Sequence, residues 1–379
     1  MTATPVIGLV GGYGAVGRAT ARLLRSWGGV RMRLGGRNPA TAEEFIRNEL
    51  GGGEEAAALD IYDPAALAGF CAGCSVVVNC AGPSYRVLDR VARAAFAAGA
   101  DYVDPGGDEP LHHRLAGLEL AKAGRTAVLT AGMMPGLSGI LPRWLARQGF
   151  GRPRKITAYV GGRGRLTPVS AADYLLSLAA AASDSLAAWR AGARVARALE
   201  PLTDAALPFF PPGVTAYPFL SAETERVARA LKLDEVSWYN VFEGGHMLAA
   251  LGRLQGATAA REDLSAGIAE LSQAAELDLF GKDPYQLFML RMEGETEDCS
   301  PLSRTVMLRA VDAHELTGTI TAFAIALVLE RKVAPGLHFA AEGLDPDIVD
   351  RLSGTPAVTA MELMDTVPGA EVLLEEGAL

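Results

Sequence analysis

The sequence predicts an α/β protein in which an N-terminal doubly wound parallel sheet is joined to a second, α+β domain. Three observations carry this reading. Short apolar runs alternate with amphipathic helical patterns up to about residue 135, the first run and the first helix are joined by a glycine-rich turn, and beyond Pro135-Gly136 the remaining runs are separated by long helical tracts.

Residues 6–10 form an apolar run that stops at glycine, and 15–27 carry apolar residues at helical spacing: a strand, a tight turn and a helix. Strand-like runs follow at 30–34, 56–60, 75–80, 102–104 and 127–130, with helical patterns near 40–50, 64–72, 86–99 and 110–122. In the second half the strand candidates are 155–160, 237–242, 286–293 and 305–311. The apolar-polar alternation in 287–293 predicts a sheet with one face open to water or to a partner subunit. The expected division is therefore 1–135, then 136–334 as a substrate and dimerisation domain, then a segment 335–379 that packs back on the first domain.

Composition narrows the function classes. The chain has 379 residues, half of them hydrophobic and 21% charged, enough for two cores. A net charge of −9, with arginines dispersed, disfavours a nucleic-acid binder. The apolar stretch 174–182 is too short to span a bilayer, so no membrane partner is expected. Four cysteines and a start that does not look like a signal peptide predict a cytoplasmic protein without a disulfide framework.

The turn after the first strand reads Gly12-Tyr13-Gly14-Ala15-Val16-Gly17. In this context, after an apolar strand and opening a helix, it is the fingerprint of a Rossmann dinucleotide site. Gly12 permits the tight turn, Gly14 lets the backbone approach a pyrophosphate, and Gly17 lets the helix close on the sheet. Tyr13 either flanks the cofactor or packs as a surface aromatic. An NAD site places an acid at the end of the second strand, yet no carboxylate occurs between Gly17 and Glu43, and Gly35-Gly36-Arg37-Asn38 stands there instead. An arginine fork at Arg37, beside Asn38, would pair with a 2′-phosphate, which predicts NADP(H), the other reading being a solvated arginine in a turn. Asp60 and Ile61 end the third strand, where the adenine would lie, although a helix-flanking aspartate reads the same way. Ala81, Gly82 and Pro83 follow the fourth strand and would line the nicotinamide half.

Together these residues resemble the saccharopine dehydrogenase-like reductases, in Gly11-Gly12-Tyr13-Gly14-Ala15-Val16-Gly17, Gly35-Gly36-Arg37 and Asn79-Cys80-Ala81-Gly82-Pro83. Tyr102-Val103-Asp104-Pro105-Gly106-Gly107-Asp108 and Gly132-Met133-Met134-Pro135-Gly136 extend the resemblance, with departures at Pro105 and Asp108. The resemblance is specific over residues 5 to 140. It implies hydride transfer between a nicotinamide cofactor and the carbon of a C=N or C–N bond, on a small metabolite or a carrier-protein-tethered intermediate such as a thiazoline. It does not identify the substrate.

Candidate catalytic residues are few, since a protonated imine is already electrophilic and needs alignment more than acid catalysis. Tyr85, just past Pro83, is the nearest proton donor, or else a packing tyrosine. Asp108 lies in the acidic loop past the fifth strand. His246 ends Gly244-Gly245-His246, a turn able to present an imidazole as an acid or substrate contact, or else it is a structural histidine. Arg163 and Arg165 follow a strand, as a substrate-carboxylate grip or as a solvated turn. Cys71 and Cys74 form a lone C-x-x-C, read as a buried pair, and no metal is expected. No lysine stands four residues after any tyrosine, which argues against short-chain dehydrogenase chemistry. A non-catalytic NADP(H) sensor and a ketone or enoyl reductase remain the alternatives, and a homodimer is the expected assembly.

Overall fold

The computed structural model describes residues 4–180, 185–254 and 264–366, which divide into two units. The first comprises residues 1–140 and 314–348, the second 141–313 and 349–379.

The chain opens with β1 (Val6–Val10), α1 (Ala15–Trp27), β2 (Arg31–Gly36), α2 (Pro39–Glu49), β3 (Glu55–Ala58), α3 (Pro64–Cys71) and β4 (Val76–Asn79). It continues through α4 (Ser84–Val87), α5 (Arg90–Ala97), β5 (Asp101–Val103), α6 (Glu109–Leu115) and β6 (Thr126–Leu129). Helix starts follow local chemistry. Asp63 caps α3, its carboxylate accepting the Ala65 and Ala66 N–H groups, and Pro64 fills the first helical position. The strands are parallel, and the order β6-β5-β4-β1-β2-β3 reverses direction between β1 and β4. Side chains from β4 and β5 and from α3, α5 and α6, including Val77, Tyr102, Phe70, Val91 and Leu115, form the core on one face.

Helix α7 (Leu137–Ala146) leads into the second unit, so the division falls at 140/141, later than the expected 135. There β7 (Arg152–Arg163), α8 (Pro168–Ala180), β8 (Ala188–Arg190), β9 (Ala193–Val195), β10 (Leu202–Ala205) and β11 (Val214–Pro218) are followed by α9 (Ala222–Ala230) and β12 (Glu235–Phe242). Helices α10 (His246–Leu254) and α11 (Ser265–Leu279) and strands β13 (Tyr285–Glu295) and β14 (Pro301–Ala310) complete this stretch. The apolar stretch 174–182 falls on α8, though residues 181 and 182 lie outside the described ones.

The expectation of one open sheet face fails at β13. Residues 285–292 are all buried. The strand is central, antiparallel to β7 on one side and to β14 on the other. Its Tyr285, Leu287 and Met289 pack with Phe210, Val214, Tyr239 and Met307, while Phe288, Leu290 and Met292 point to the opposite face and are equally enclosed. Arg291, whose charge made the strand read as half-exposed, is neutralised inside the sheet by Glu293 at 3.1 Å and donates to Ser303 Oγ at 3.2 Å.

The chain then re-enters the first unit, which the expected 136–334 domain did not allow for. Helix α12 (Ala313–Leu329) packs on α1, where Gly318 lies so close that a Cβ would meet the Thr20 nitrogen at 2.8 Å. Arg22 pairs with Glu315, and Thr321 Oγ1 donates to the Ala131 carbonyl at 2.9 Å. Because α12 is apolar almost all round, its periodicity gave no hint of which domain it served. Strand β15 (Gly336–Phe339) adds a seventh parallel strand beside β6, followed by α13 (Ala340–Gly343). After residue 348 the chain returns to the second unit, and β16 (Val358–Asp365) pairs with β14. The segment expected to pack back on the first domain is thus shared between the units.

Candidate functional site

The C-terminal ends of β1 and β4 meet at the point where strand order reverses, the place where an open α/β sheet binds ligands. Gly11 N–H donates to the Gly35 carbonyl at 2.8 Å, and Cys80 N–H donates to the Val10 carbonyl at 2.8 Å. Gly11 has φ +73°, and a Cβ there would meet the Cys80 and Ala81 backbone at 2.9 Å. At Gly17 a Cβ would lie 2.7 Å from Gly12 Cα, so α1 can start this close to the strand only with glycine. Gly14 differs. Its Cβ would touch only the Gly11 carbonyl at 3.2 Å, leaving its other side open. Helix α1 begins here with no side-chain cap and no acid in its first turn, so its leading N–H groups stay available to an anion. Ala15 and Val16 open the helix, with Ala15 exposed.

Tyr13 leans onto the end of β2. Its ring lies against Gly36, where a Cβ would meet Tyr13 Cζ at 2.6 Å, and its hydroxyl accepts the Asn38 N–H at 2.9 Å. The Tyr13 carbonyl accepts Arg18 Nε at 2.9 Å, and the Arg18 guanidinium also lies 4.7 Å over the Phe45 ring of α2. Between Gly36 and Asn38, Arg37 is exposed and makes no ion pair among the described residues. Asp60 is exposed past β3, its carboxylate accepting the Tyr62 N–H at 2.9 Å, and Ile61 packs against the core. Ala81, Gly82 and Pro83 are half-buried after β4.

A buried polar knot lies at the ends of β4 and β5. The Asp104 carboxylate accepts Tyr102 Oη at 2.6 Å, Asn79 Nδ2 at 3.2 Å and the Gly106 N–H at 2.9 Å. Burial pushes the Tyr102 phenol well above its ordinary range, and the Asp104 charge pushes it further, so it is a fixed donor rather than an acid. Burial first, then Asp104, also raises the Cys80 thiol and holds it protonated. The Asp104 carbonyl accepts Ala131 N–H, and the Gly106 carbonyl accepts Thr130 N–H, tying this loop to the end of β6. Gly132 sits against the Pro105 carbonyl, which explains a glycine in the Gly132 to Gly136 turn. The knot was missed from sequence as a unit. Its signal was Tyr102 and Asp104 at strand spacing on one side, with Asn79 ending the neighbouring strand.

The proposed catalytic residues do not form one cluster within a unit. Tyr85 is half-buried on α4, right after Pro83, and Asp108 precedes α6 past β5, both at the edge that carries the glycine loop. His246 belongs to the second unit, where its side chain is exposed. There the Asp278 carboxylate accepts the His246 N–H at 3.2 Å and the Met247 N–H at 2.9 Å, capping α10 from α11. Gly244, at φ +93°, makes room for that carboxylate. Arg163 is no free turn residue: it pairs with Glu243, which also accepts Lys282 Nζ and Tyr285 Oη at 3.0 Å each. Burial alone would raise the Glu243 carboxyl, but these hydrogen bonds outweigh it and hold the group below its ordinary value. Arg165 remains in the loop past β7. Cys71 and Cys74 are buried at the end of α3, and burial pushes the Cys71 thiol up to about 11, which makes it a poor nucleophile.

Among the described residues, no group of three or more His, Cys, Asp or Glu is placed to hold a metal ion, and no helix is long and apolar enough to cross a membrane.

Residues 7–131 match the family described as the saccharopine dehydrogenase NADP binding domain. The first unit therefore carries a saccharopine dehydrogenase-like NADP-binding domain. Its cofactor is NADP(H), and the open side of Gly14, the uncapped start of α1 and the exposed Arg37 are a cradle that fits it. No curated protein sequence matches the chain. Among solved structures, the chain is similar to apo saccharopine dehydrogenase (L-Glu forming) from Saccharomyces cerevisiae, with TM-score 0.68 and 16% identity, covering 95% of this chain and 100% of that one. That likeness shows a shared fold. A meso-dapdh mutant from Clostridium tetani E88 matches at TM-score 0.45 and 14% identity, covering 92% of this chain and 99% of that one. A myo-inositol dehydrogenase from Corynebacterium glutamicum matches at 0.45 and 12%, covering 93% and 95%. The chain is an oxidoreductase-like, two-domain α/β protein related in fold to saccharopine dehydrogenase.

Proposed function

We propose that this protein is an NADPH-dependent reductase whose hydride acceptor is the carbon of a C=N bond, in a small metabolite or a carrier-tethered intermediate such as a thiazoline. The observation that carries the proposal is the saccharopine dehydrogenase-like domain in residues 7–131, with Arg37 exposed at the end of β2. When bound, the cofactor supplies the hydride. At the β4 and β5 strand ends the Asp104 carboxylate holds Tyr102, Asn79 Nδ2 and the Gly106 N–H in place. Such an edge orients rather than protonates, which suits an acceptor that arrives as an iminium ion. In this reading Gly12, Gly14 and Gly17 admit the pyrophosphate, Arg37 and Asn38 take the 2′-phosphate end, and Ala81, Gly82 and Pro83 leave room for the nicotinamide. Tyr85 delivers a proton to the acceptor nitrogen where one is still needed.

The test is NADPH oxidation by the full chain against cyclic imines, α-keto acid plus amine mixtures, ketones and enones. Turnover with the first two classes supports the proposal. Turnover confined to ketones or enones overturns the C=N assignment, and tight NADPH binding without turnover of any class favours a sensor.

A further inference from the structure

Two loops that recognise different ends of a dinucleotide are tied together by a single side chain. Tyr13 belongs to the glycine loop after β1, yet its ring covers Gly36 and its hydroxyl accepts the Asn38 N–H at 2.9 Å, on either side of Arg37. At the other end of the same residue, the carbonyl is held by Arg18, whose guanidinium lies over Phe45 of α2. The backbone at Arg37 is thus anchored one residue before and one residue after, while its own side chain stays exposed. This is how a flexible arginine is preorganised: the main chain is fixed, so fewer orientations are lost when the guanidinium meets an anion. Gly36 is required for the same reason. Its φ is not in the left-handed region, so a side chain there is excluded by the Tyr13 ring, not by the backbone.

We infer that Tyr13 is a positioning residue for cofactor choice, holding the Gly36-Arg37-Asn38 turn so that Arg37 meets the 2′-phosphate of NADP(H). This rests on the assignment of Arg37 to the 2′-phosphate, and it goes beyond a tyrosine that merely flanks the cofactor. The interaction acts through a hydroxyl and a ring face. Tyr13→Phe keeps the ring on Gly36 and removes the acceptor for Asn38. Gly36→Ala displaces the ring and its hydroxyl together, since the added Cβ would meet both.

The experiment is fluorescence titration of purified full-length variants with NADPH and with NADH, with thermal melts to establish folding. Tyr13→Phe is expected to weaken NADPH roughly 3- to 10-fold, the scale of one hydrogen bond, and to leave NADH within about 2-fold. Arg37→Ala is expected to weaken NADPH roughly 10- to 100-fold. In the Arg37→Ala background, Tyr13→Phe should then have no further effect on NADPH, because the group it positions is gone. Gly36→Ala should show the same NADPH-selective loss, and adding Tyr13→Ala should recover melting temperature without recovering selectivity.

Equal weakening of NADPH and NADH by Tyr13→Phe, or additive losses in the double variant, would overturn the positioning role. If Arg37→Ala leaves the NADPH-to-NADH ratio unchanged, the 2′-phosphate assignment itself fails, whatever Tyr13→Phe does.

Discussion

The glycine loop after β1 and the Gly244-Gly245-His246 turn after β12 use the same residue type for opposite ends. In the first, Gly11 and Gly17 are demanded by backbone packed within 3 Å, and Gly14 is left with an open side at the start of an uncapped helix. In the second, Gly244 is demanded by the Asp278 carboxylate, which satisfies the first N–H groups of α10 from within the protein. One turn keeps its helix N-terminus available for a ligand, and the other closes it with its own side chain. A glycine pair before a helix therefore marks a ligand site only where nothing in the chain caps that helix.

The largest effect is expected beside the first turn. Asp104→Ala strands the Tyr102 hydroxyl, Asn79 Nδ2 and the Gly106 N–H in a buried knot, and should destabilise the protein by roughly 3 kcal/mol in urea denaturation. A loss under about 1 kcal/mol would show that the knot does not hold the strand ends.

Next come the glycines. Gly17→Ala forces a Cβ onto Gly12 and should cost about 1–3 kcal/mol and abolish NADPH binding. Gly14→Ala should leave the melt nearly unchanged while weakening NADPH by about tenfold or more, because only its open side is filled. Gly244→Ala should reverse that pattern: destabilised by about 1–2 kcal/mol, with NADPH affinity intact. If Gly244→Ala weakened the cofactor as Gly14→Ala does, the contrast between the two turns would collapse.

A smaller effect is expected at Glu243. Its carboxyl is held below the ordinary value of 4.5, so the folded state binds its proton less readily than the unfolded chain. Its stabilisation is complete above that value and is lost as pH falls through the folded value. Melting curves of Glu243→Gln against the parent should differ by a constant amount near neutral pH and converge below about pH 4.5. A gap that widened in acid would contradict the sign. The smallest change is expected from His246→Ala, within about 0.5 kcal/mol, since the Asp278 cap uses its backbone rather than its exposed ring.

The parallel sheet was legible because its strands are short apolar runs punctuated by glycine, and backbone-level constraints such as those at Gly12 and Gly17 leave a direct mark on residue type. The return of α12 and β15 to that sheet was not, because pairing of Gly336 with Thr126 joins residues far apart in the chain and no local pattern encodes it. Strand β13 misled for a related reason: Arg291 and Glu293 read as a solvent face, yet in a strand that lies between β7 and β14 they pair with each other. At the candidate site, the packing constraints on Gly12 and Gly17 were readable from residue type. The Asp104 knot and the Tyr13 bridge were not, since each depends on which strand ends the topology makes neighbours.

In the proposed reading, the first unit selects NADP(H) through Arg37 at the end of β2. Titration of the wild-type protein with NADPH and NADH under one salt condition tests it most directly. NADPH should bind at least about tenfold more tightly than NADH, the scale of one charge-assisted contact. Equal affinities, or tighter binding of NADH, would contradict it.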